Sequence, residues 1–170
     1  MPSPTDDMSF EQYVRERHTE LRHTAHRLVA DPWEAEDLLQ DALLSTVRSW
    51  ESVKDKSLAD LYVRRTLINQ RTDLWRRKRL QEFPTDQVPD VWPHDDTELD
   101  ANRRLLLDAF AVLSPRQQLI VVLRYFEERN TLETARAAYV RPGTVKATLH
   151  RSLAKLRTEL QGHDAIQYGL

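Results

Sequence analysis

The chain has 170 residues, 40% of them apolar and 31% charged, which suits one mid-sized soluble domain or two small helical ones. Only 3 glycines and no cysteine are present, which argues against strand-and-turn architectures and excludes a disulfide framework or a thiol switch. The formal net charge is −2, so bulk charge alone gives no support to nucleic-acid binding.

The distribution of charge says more than its sum. Seven basic residues face one acid, Asp73, between Arg64 and Arg79. Seven acids and no Lys or Arg lie between Gln81 and Asp100. Five basic residues and no acid lie between Arg141 and Arg157. Two basic segments flank an acidic one. No apolar run is long enough to span a bilayer, and Met1 to Phe10 lacks the basic-then-apolar pattern of a signal. A cytoplasmic protein is expected.

In chain order, Phe10 to Leu80 reads as three or four helices. Asp31-Pro32 followed by Glu34 is a helix start: a capping carboxylate, a proline in the first turn, and a negative charge at the positive end of the dipole. Leu39, Leu43, Thr46, Val47 and Trp50 then recur at helical spacing. Glu51 to Lys56 breaks the pattern, and Ser57 is the expected cap of the next helix, with Asp60 three residues on. That helix mixes bases with aromatics and an amide: Tyr62, Arg64, Arg65, Asn69, Arg71, Trp75, Arg76 and Arg77. Bases neutralise phosphates, aromatics stack on unpaired bases, and Asn can read a base edge, a combination suited to single-stranded or melting DNA. The competing reading makes Tyr62 and Trp75 ordinary core residues.

Pro84, Pro89 and Pro93 interrupt any helical period and mark a linker. The second block starts near Asp96, with a helix over Asn102 to Leu113. Ser114-Pro115 with Gln117 forms a second helix start. A short helix near Thr131 to Tyr139 and a longer basic one from about Pro142 make a helix-turn-helix layout. In such modules the second helix enters the major groove. Val145, Leu149 and Leu153 form its apolar stripe, leaving Thr144, Lys146, Ala147, Thr148, His150 and Arg151 free to face DNA. A solvated basic face on an ordinary helix accounts for the same periodicity.

His18, His23 and His26 cluster near the start, with no cysteine and no carboxylate on the same face to complete a metal set, so surface histidines and no metal are expected. No phosphate loop, nucleophile elbow or catalytic carboxylate pair is present, and neither an enzyme nor a cofactor is expected.

Four stretches carry a resemblance to a known family. DPWEAEDLLQDALLSTVRSW (Asp31 to Trp50) and LYVRRTLINQRTDLWRRKR (Leu61 to Arg79) resemble the polymerase-binding and minus-ten helices of sigma domain 2. LSPRQQLIVVLRYFEE (Leu113 to Glu128) and RPGTVKATLHRSLAKLR (Arg141 to Arg157) resemble sigma domain 4. With only a short linker between them, the whole resembles the extracytoplasmic-function (ECF) group of the sigma-70 family, in its sigma-E-like subgroup. The resemblance implies an all-α protein of two small domains. Residues 8–80 would be domain 2, 81–97 an acidic linker, 98–160 domain 4 and 161–170 a tail.

It also implies roles. Asp37, Leu38, Gln40 and Asp41 would grip the core polymerase. Tyr62, Arg65, Asn69, Arg71, Trp75 and Arg76 would contact minus-ten DNA. Arg141, Thr144, Lys146, Ala147, Thr148 and Arg151 would contact the minus-thirty-five element. The implied partners are core RNA polymerase and promoter DNA, with an anti-sigma factor as a further candidate. The implied protein is a cytoplasmic monomer when free, with no membrane partner, and is nucleoid-associated in holoenzyme. Two departures stand out. Ala138-Tyr139 replaces the common leucine-glycine pair at the turn, where a bulky residue fits a left-handed conformation poorly, and Arg141 replaces a small polar residue. A stand-alone helix-turn-helix regulator would explain Arg141 to Arg157 but leaves the basic-aromatic helix unexplained. A helical enzyme has no supporting constellation.

Overall fold

The computed structural model describes residues 8–81 and 98–168, with side chains for 8–81 and 101–163. The linker expected over 81–97 therefore lies outside the described residues, apart from Gln81, which ends a helix. Among the described residues every regular element is helical.

Three helices form the first half: α1 (Phe10–Leu28), α2 (Pro32–Ser49) and α3 (Ala59–Gln81). Asp31 caps α2 as expected, its carboxylate accepting from the Trp33 backbone N–H with Pro32 in the first turn. The entry to α3 differs from expectation. The capping side chain is Asp55, which accepts from the Ser57 backbone N–H and starts a 3₁₀ turn, Lys56–Leu58, that runs into α3. A carboxylate two residues upstream outcompetes the hydroxyl because it accepts more strongly. Leu21, Ala25 and Leu28 of α1, Leu39 and Ala42 of α2, and Val63, Leu67 and Ile68 of α3 fill the core between them. Trp50 closes one end, its ring 5.3 Å from both Phe10 and Tyr13, with the Lys56 ammonium 4.6 Å over its face.

The second half holds α4 (Glu98–Phe110), α5 (Pro115–Val121) with a π-helical extension Val122–Phe126, α6 (Thr131–Ala138) and α7 (Pro142–Tyr168). The Ser114–Gln117 box forms as read from the sequence, and a further one joins Asn130 to Glu133. Helix α7 continues through residues expected to form a tail. Buried Gln118 donates to the Phe110 and Leu113 carbonyls, tying α5 to the end of α4.

The two halves are not separate beads. Their buried residues form one continuous cluster, from Tyr13 to Leu156. Helix α3 packs against α1 and α2 on one side and against α5 and α6 on the other.

Candidate polymerase and nucleic-acid interfaces

Helix α2 buries Ala35, Leu39 and Ala42, which leaves its opposite side to solvent. Asp37, Gln40 and Asp41 lie on that side. Leu38, expected beside them as a contact, is buried in the core instead, because it shares the inward face with Ala35 and Ala42. Trp33 is 81% exposed, and Leu44 and Val47 are also exposed. Trp33, Asp37, Gln40, Leu44 and Val47 follow one another at helical spacing, giving a solvent-facing row with polar residues in the middle and apolar ones at the ends. Exposed apolar side chains in a contiguous row mark an interaction surface. Val47, which shares the helical period of Leu43 and Trp50, lies on the outward side of α2.

Helix α3 divides its bases between inside and outside. Arg65, Asn69 and Arg76 are exposed, as is Tyr62, whose hydroxyl lies 3.4 Å from Ser49 Oγ. Trp75 is half-buried, with the Arg79 guanidinium 5.2 Å over its ring. Arg71 departs from the expectation of a DNA contact. It is buried, with Nε donating to the Leu28 carbonyl at 3.0 Å, Nη2 donating to the Leu107 carbonyl, and its guanidinium 5.0 Å over the Phe110 ring. Burial pulls its pKa down to about 10, opposed only by the charge of Asp108. Arg64 is buried as well, and its partners lie in both halves of the molecule. Arg65 and Asn69 line a cleft of about 470 Å³ whose other wall is Pro115, Arg116, Leu119, Ile120 and Ala138 to Val140.

The helix-turn-helix is α6, a turn and α7. Tyr139 adopts the left-handed conformation (φ 54°, ψ 46°) that its bulk disfavours. Its hydroxyl reaches the Ser57 side chain at 3.2 Å, so the ring leaves the turn and contacts the first half of the molecule. On α7, Arg141, Lys146, Ala147, His150 and Arg151 are exposed and Thr144 is half-buried. Thr148, expected among the DNA contacts, is buried here against the rest of the second half. The inward stripe is Val145, Thr148, Ser152 and Leu156, while Leu149 is half-buried and Leu153 exposed. Thr148 and Ser152 take inward positions that the leucine spacing alone would have given to Leu149 and Leu153.

The three histidines divide similarly. His18 and His23 are exposed, and His26 Nε2 lies 2.8 Å from Glu36, which Arg22 also holds at 2.6 Å. The carboxylate beside His26 thus comes from a neighbouring helix, α2, and not from the histidines' own face. The hydrogen bonds of His26 and then Arg22 hold the Glu36 carboxyl below the usual carboxylate range. Among the described residues no group of three potential ligands is placed to hold a metal ion.

Residues 13–81 match Sigma-70 region 2 and residues 109–158 match Sigma-70, region 4, together most of the chain. Over 157 residues the chain is 51% identical to the RNA polymerase sigma-E factor of Streptomyces avermitilis, covering 92% of this chain and 88% of that one. The Streptomyces coelicolor sigma-E factor is likewise 51% identical over 157 residues, covering 92% of this chain and 89% of its own. The ECF RNA polymerase sigma factor SigM of Mycobacterium tuberculosis is 29% identical over 152 residues, covering 89% of this chain and 76% of its own. In fold, the chain is similar to the sigma factor RpoE of Bartonella quintana, solved in complex with the anti-sigma factor NepR. That match has a TM-score of 0.51 at 22% identity and covers 89% of this chain and 96% of that one. The two matched regions in order and the extent of the 51% identity lead to one conclusion: the chain belongs to the sigma-70 family of RNA polymerase sigma factors, in its extracytoplasmic-function group.

Proposed function

We propose that this sigma factor selects promoters through three separate helical faces. The exposed row of α2, with Asp37, Gln40 and Asp41, docks on core RNA polymerase. The outer face of α3, with Tyr62, Arg65, Asn69, Trp75 and Arg76, takes the minus-ten strand as it opens. The outer face of α7, with Arg141, Thr144, Lys146, Ala147 and Arg151, reads the minus-thirty-five duplex through bases that suit guanine edges and phosphates. Core RNA polymerase and promoter DNA are its partners as a sigma-70 family member. The protein itself performs no catalysis and acts in the cytoplasm as a monomer until it joins the polymerase.

The observation that carries this reading is the exposed row of α2. A stand-alone helix-turn-helix regulator has use for α7 but none for a Trp–Asp–Gln–Leu–Val row 100 residues away from it.

The reading is tested by transcription in vitro from genomic fragments with start-site mapping. Wild-type protein with core enzyme gives discrete starts sharing two upstream elements. Asp37→Arg combined with Gln40→Ala removes holoenzyme assembly while helix content is kept, because charge reversal at a polar interface is repulsive. Undiminished pull-down of core enzyme by that variant would refute the assignment of α2.

A further inference from the structure

Arg65 and Asn69 of α3 line a cleft of about 470 Å³ whose other walls come from α5 and from the turn between α6 and α7. We propose that this cleft binds a nucleoside diphosphate, with Arg65 and Arg116 holding the phosphates, the Tyr139 ring stacking on the base and Asn69 bonding to the base edge. The minus-ten reading of α3 uses Arg65 and Asn69 as well, so a bound nucleotide and a DNA strand would draw on the same two side chains. The binding of the nucleotide does not depend on that reading.

The charge in the cleft is uncompensated. Arg65 and Arg116 are both exposed, neither has an ion-pair partner among the described residues, and no Asp or Glu lines the cleft. Elsewhere α3 matches its packed bases. Arg64, the neighbour of Arg65, is held by Glu20 at 3.2 Å, Asp60 at 3.7 Å and Glu127 at 2.7 Å, and Arg71 by two carbonyls. An ordinary packing seam in this molecule is therefore neutralised, and this one is not. Two guanidiniums from different helices suit phosphate oxygens, because each presents paired donors in a fixed plane. The Asn69 amide also has no hydrogen-bond partner among the described residues. An amide offers a donor and an acceptor side by side, which is the complement of a base edge.

The rest of the lining suits a ring. Ile68, Leu119 and Ile120 are buried and give the cleft an apolar floor. Tyr139 is 56% exposed, so its ring is available for stacking. Its backbone is left-handed (φ 54°), a conformation that glycine would adopt without strain. Its hydroxyl donates to the Ser57 carbonyl at 3.4 Å and lies 3.2 Å from Ser57 Oγ, which fixes the ring at the cleft wall. Backbone strain of this kind collects at ligand clamps, and a fixed aromatic ring stacks on any base. The volume lies within the range of about 300–1,000 Å³ usual for small-molecule sites, which fits one nucleotide and not a folded partner.

Calorimetric titration of the intact chain, without DNA or polymerase, with ADP, GDP, CDP, UDP and inorganic pyrophosphate tests the site. At least one nucleoside diphosphate should bind one-to-one with a Kd below about 100 μM, and pyrophosphate at least about tenfold more weakly, since it has no ring to stack. Arg116→Ala, at an exposed position, and Tyr139→Gly, which relaxes the backbone, should each weaken binding at least about tenfold with helix content unchanged. Tyr139→Phe keeps the ring and should stay within about threefold of wild type. Arg157→Ala removes an equal charge from an exposed position of α7 outside the cleft and should leave affinity unchanged. No saturable binding of any nucleotide overturns the site. Pyrophosphate binding as tightly as the nucleotides overturns the ligand class. A loss at Arg157→Ala equal to that at Arg116→Ala, or no loss at both Arg116→Ala and Tyr139→Gly, overturns the cleft as its location. Equal losses for Tyr139→Phe and Tyr139→Gly overturn the stacking role. None of these results bears on holoenzyme transcription by wild type, which tests the functional reading separately.

Discussion

Helices α3 and α7 are both rich in Arg and Lys, yet they treat them in opposite ways. On α7 the bases Lys146, Arg151, Lys155 and Arg157 all point to solvent, and the inward side is Val145, Thr148, Ser152 and Leu156. On α3, Arg64 and Arg71 are buried while Arg65, Arg76, Arg77, Lys78 and Arg79 are not. The difference follows from position. Helix α3 is packed on two sides, by α1 and α2 and by α5 and α6, so a single helix face cannot hold all its apolar contacts. A guanidinium tolerates burial where carboxylates and carbonyls converge on it, and the elements around α3 supply both: Glu20 and Glu127 for Arg64, the Leu28 and Leu107 carbonyls for Arg71. A basic helix is therefore a DNA-binding surface only on the side its neighbours leave free.

That contrast can be broken most forcefully at Arg64. Arg64→Ala leaves the Glu127 carboxylate buried with Arg129 and Thr24 as its remaining partners. Removing one member of a buried pair costs about 3–5 kcal/mol, and the surviving partners place this case near about 3. Arg151→Ala, at an exposed site, should change stability by less than about 0.5 kcal/mol. Urea unfolding of the two variants side by side gives the comparison, and equal losses would mean that the two helices do not differ as described.

The roles reverse when duplex binding is measured. Arg151→Ala should weaken binding of minus-thirty-five duplex by about 1–3 kcal/mol if its side chain reads a base. Thr148→Val exchanges a hydroxyl for a methyl at constant shape on a buried side chain, and should leave duplex affinity within about 0.5 kcal/mol. Fluorescence anisotropy on labelled duplex separates them. A loss at Thr148 matching that at Arg151 would show that α7 turns its threonine outward when bound.

Acid should act on the α3 side alone. Burial pushes the Glu127 carboxyl up, but the hydrogen bond and charge of Arg64, then Arg129 and Thr24, outweigh it and hold the group below the usual carboxylate range. A depressed acid contributes its stability fully above the unfolded value, and loses it as pH falls through the folded one. Arg64, held above its ordinary value after the carboxylates around it overcome its desolvation, stays charged throughout this window. The distance between spin labels at His18→Cys and Arg157→Cys, exposed sites in the two halves of a chain without cysteine, should therefore broaden as pH drops below about 4, the region where ordinary carboxylates titrate. Glu127→Gln should flatten that response, whereas Glu36→Gln, which alters only the His26 and Arg22 contacts within the first half, should not.

Local signals were legible in the sequence and long-range ones were not. Asp31-Pro32 and Ser114-Pro115 announce helix starts because a cap needs only residues two or three apart, and both form. The same local reasoning chose Ser57 over Asp55, a choice between two acceptors separated by two residues. The leucines of α7 suggested a stripe that the packing shifted by one residue, since hydrophobicity was counted and close approach was not. The ion-pair network of Arg64, Glu20, Glu127 and Arg129 was invisible because its members lie 44, 63 and 109 residues apart, with no period to betray them. Charge runs named Arg64 and Arg71 as solvent-facing bases for the same reason. The assignment of the two halves came from the resemblance of whole stretches, which composition and spacing alone left open.

The smallest effect concerns two left-handed residues in domain 4, one local to that domain and one in contact across the junction. Glu128 (φ 55°) and Tyr139 (φ 54°) both occupy a conformation costing a non-glycine residue about 1–2 kcal/mol. Glu128 is exposed, and Glu128→Gly should raise stability by about 0.5–1 kcal/mol, since glycine relieves the strain but gives back some chain entropy. Tyr139→Gly relieves the same strain, yet it also removes the hydroxyl contacts to Ser57 at 3.2 and 3.4 Å and one wall of the cleft beside α3. Its net effect on the intact chain should therefore lie near zero. A double-mutant cycle with Ser57→Ala separates the two contributions: coupling of about 0.5 kcal/mol between positions 57 and 139 marks a contact made across the junction. No coupling, together with an equal gain from both glycine substitutions, would mean that the tyrosine sits in its strained turn without touching the first half of the molecule.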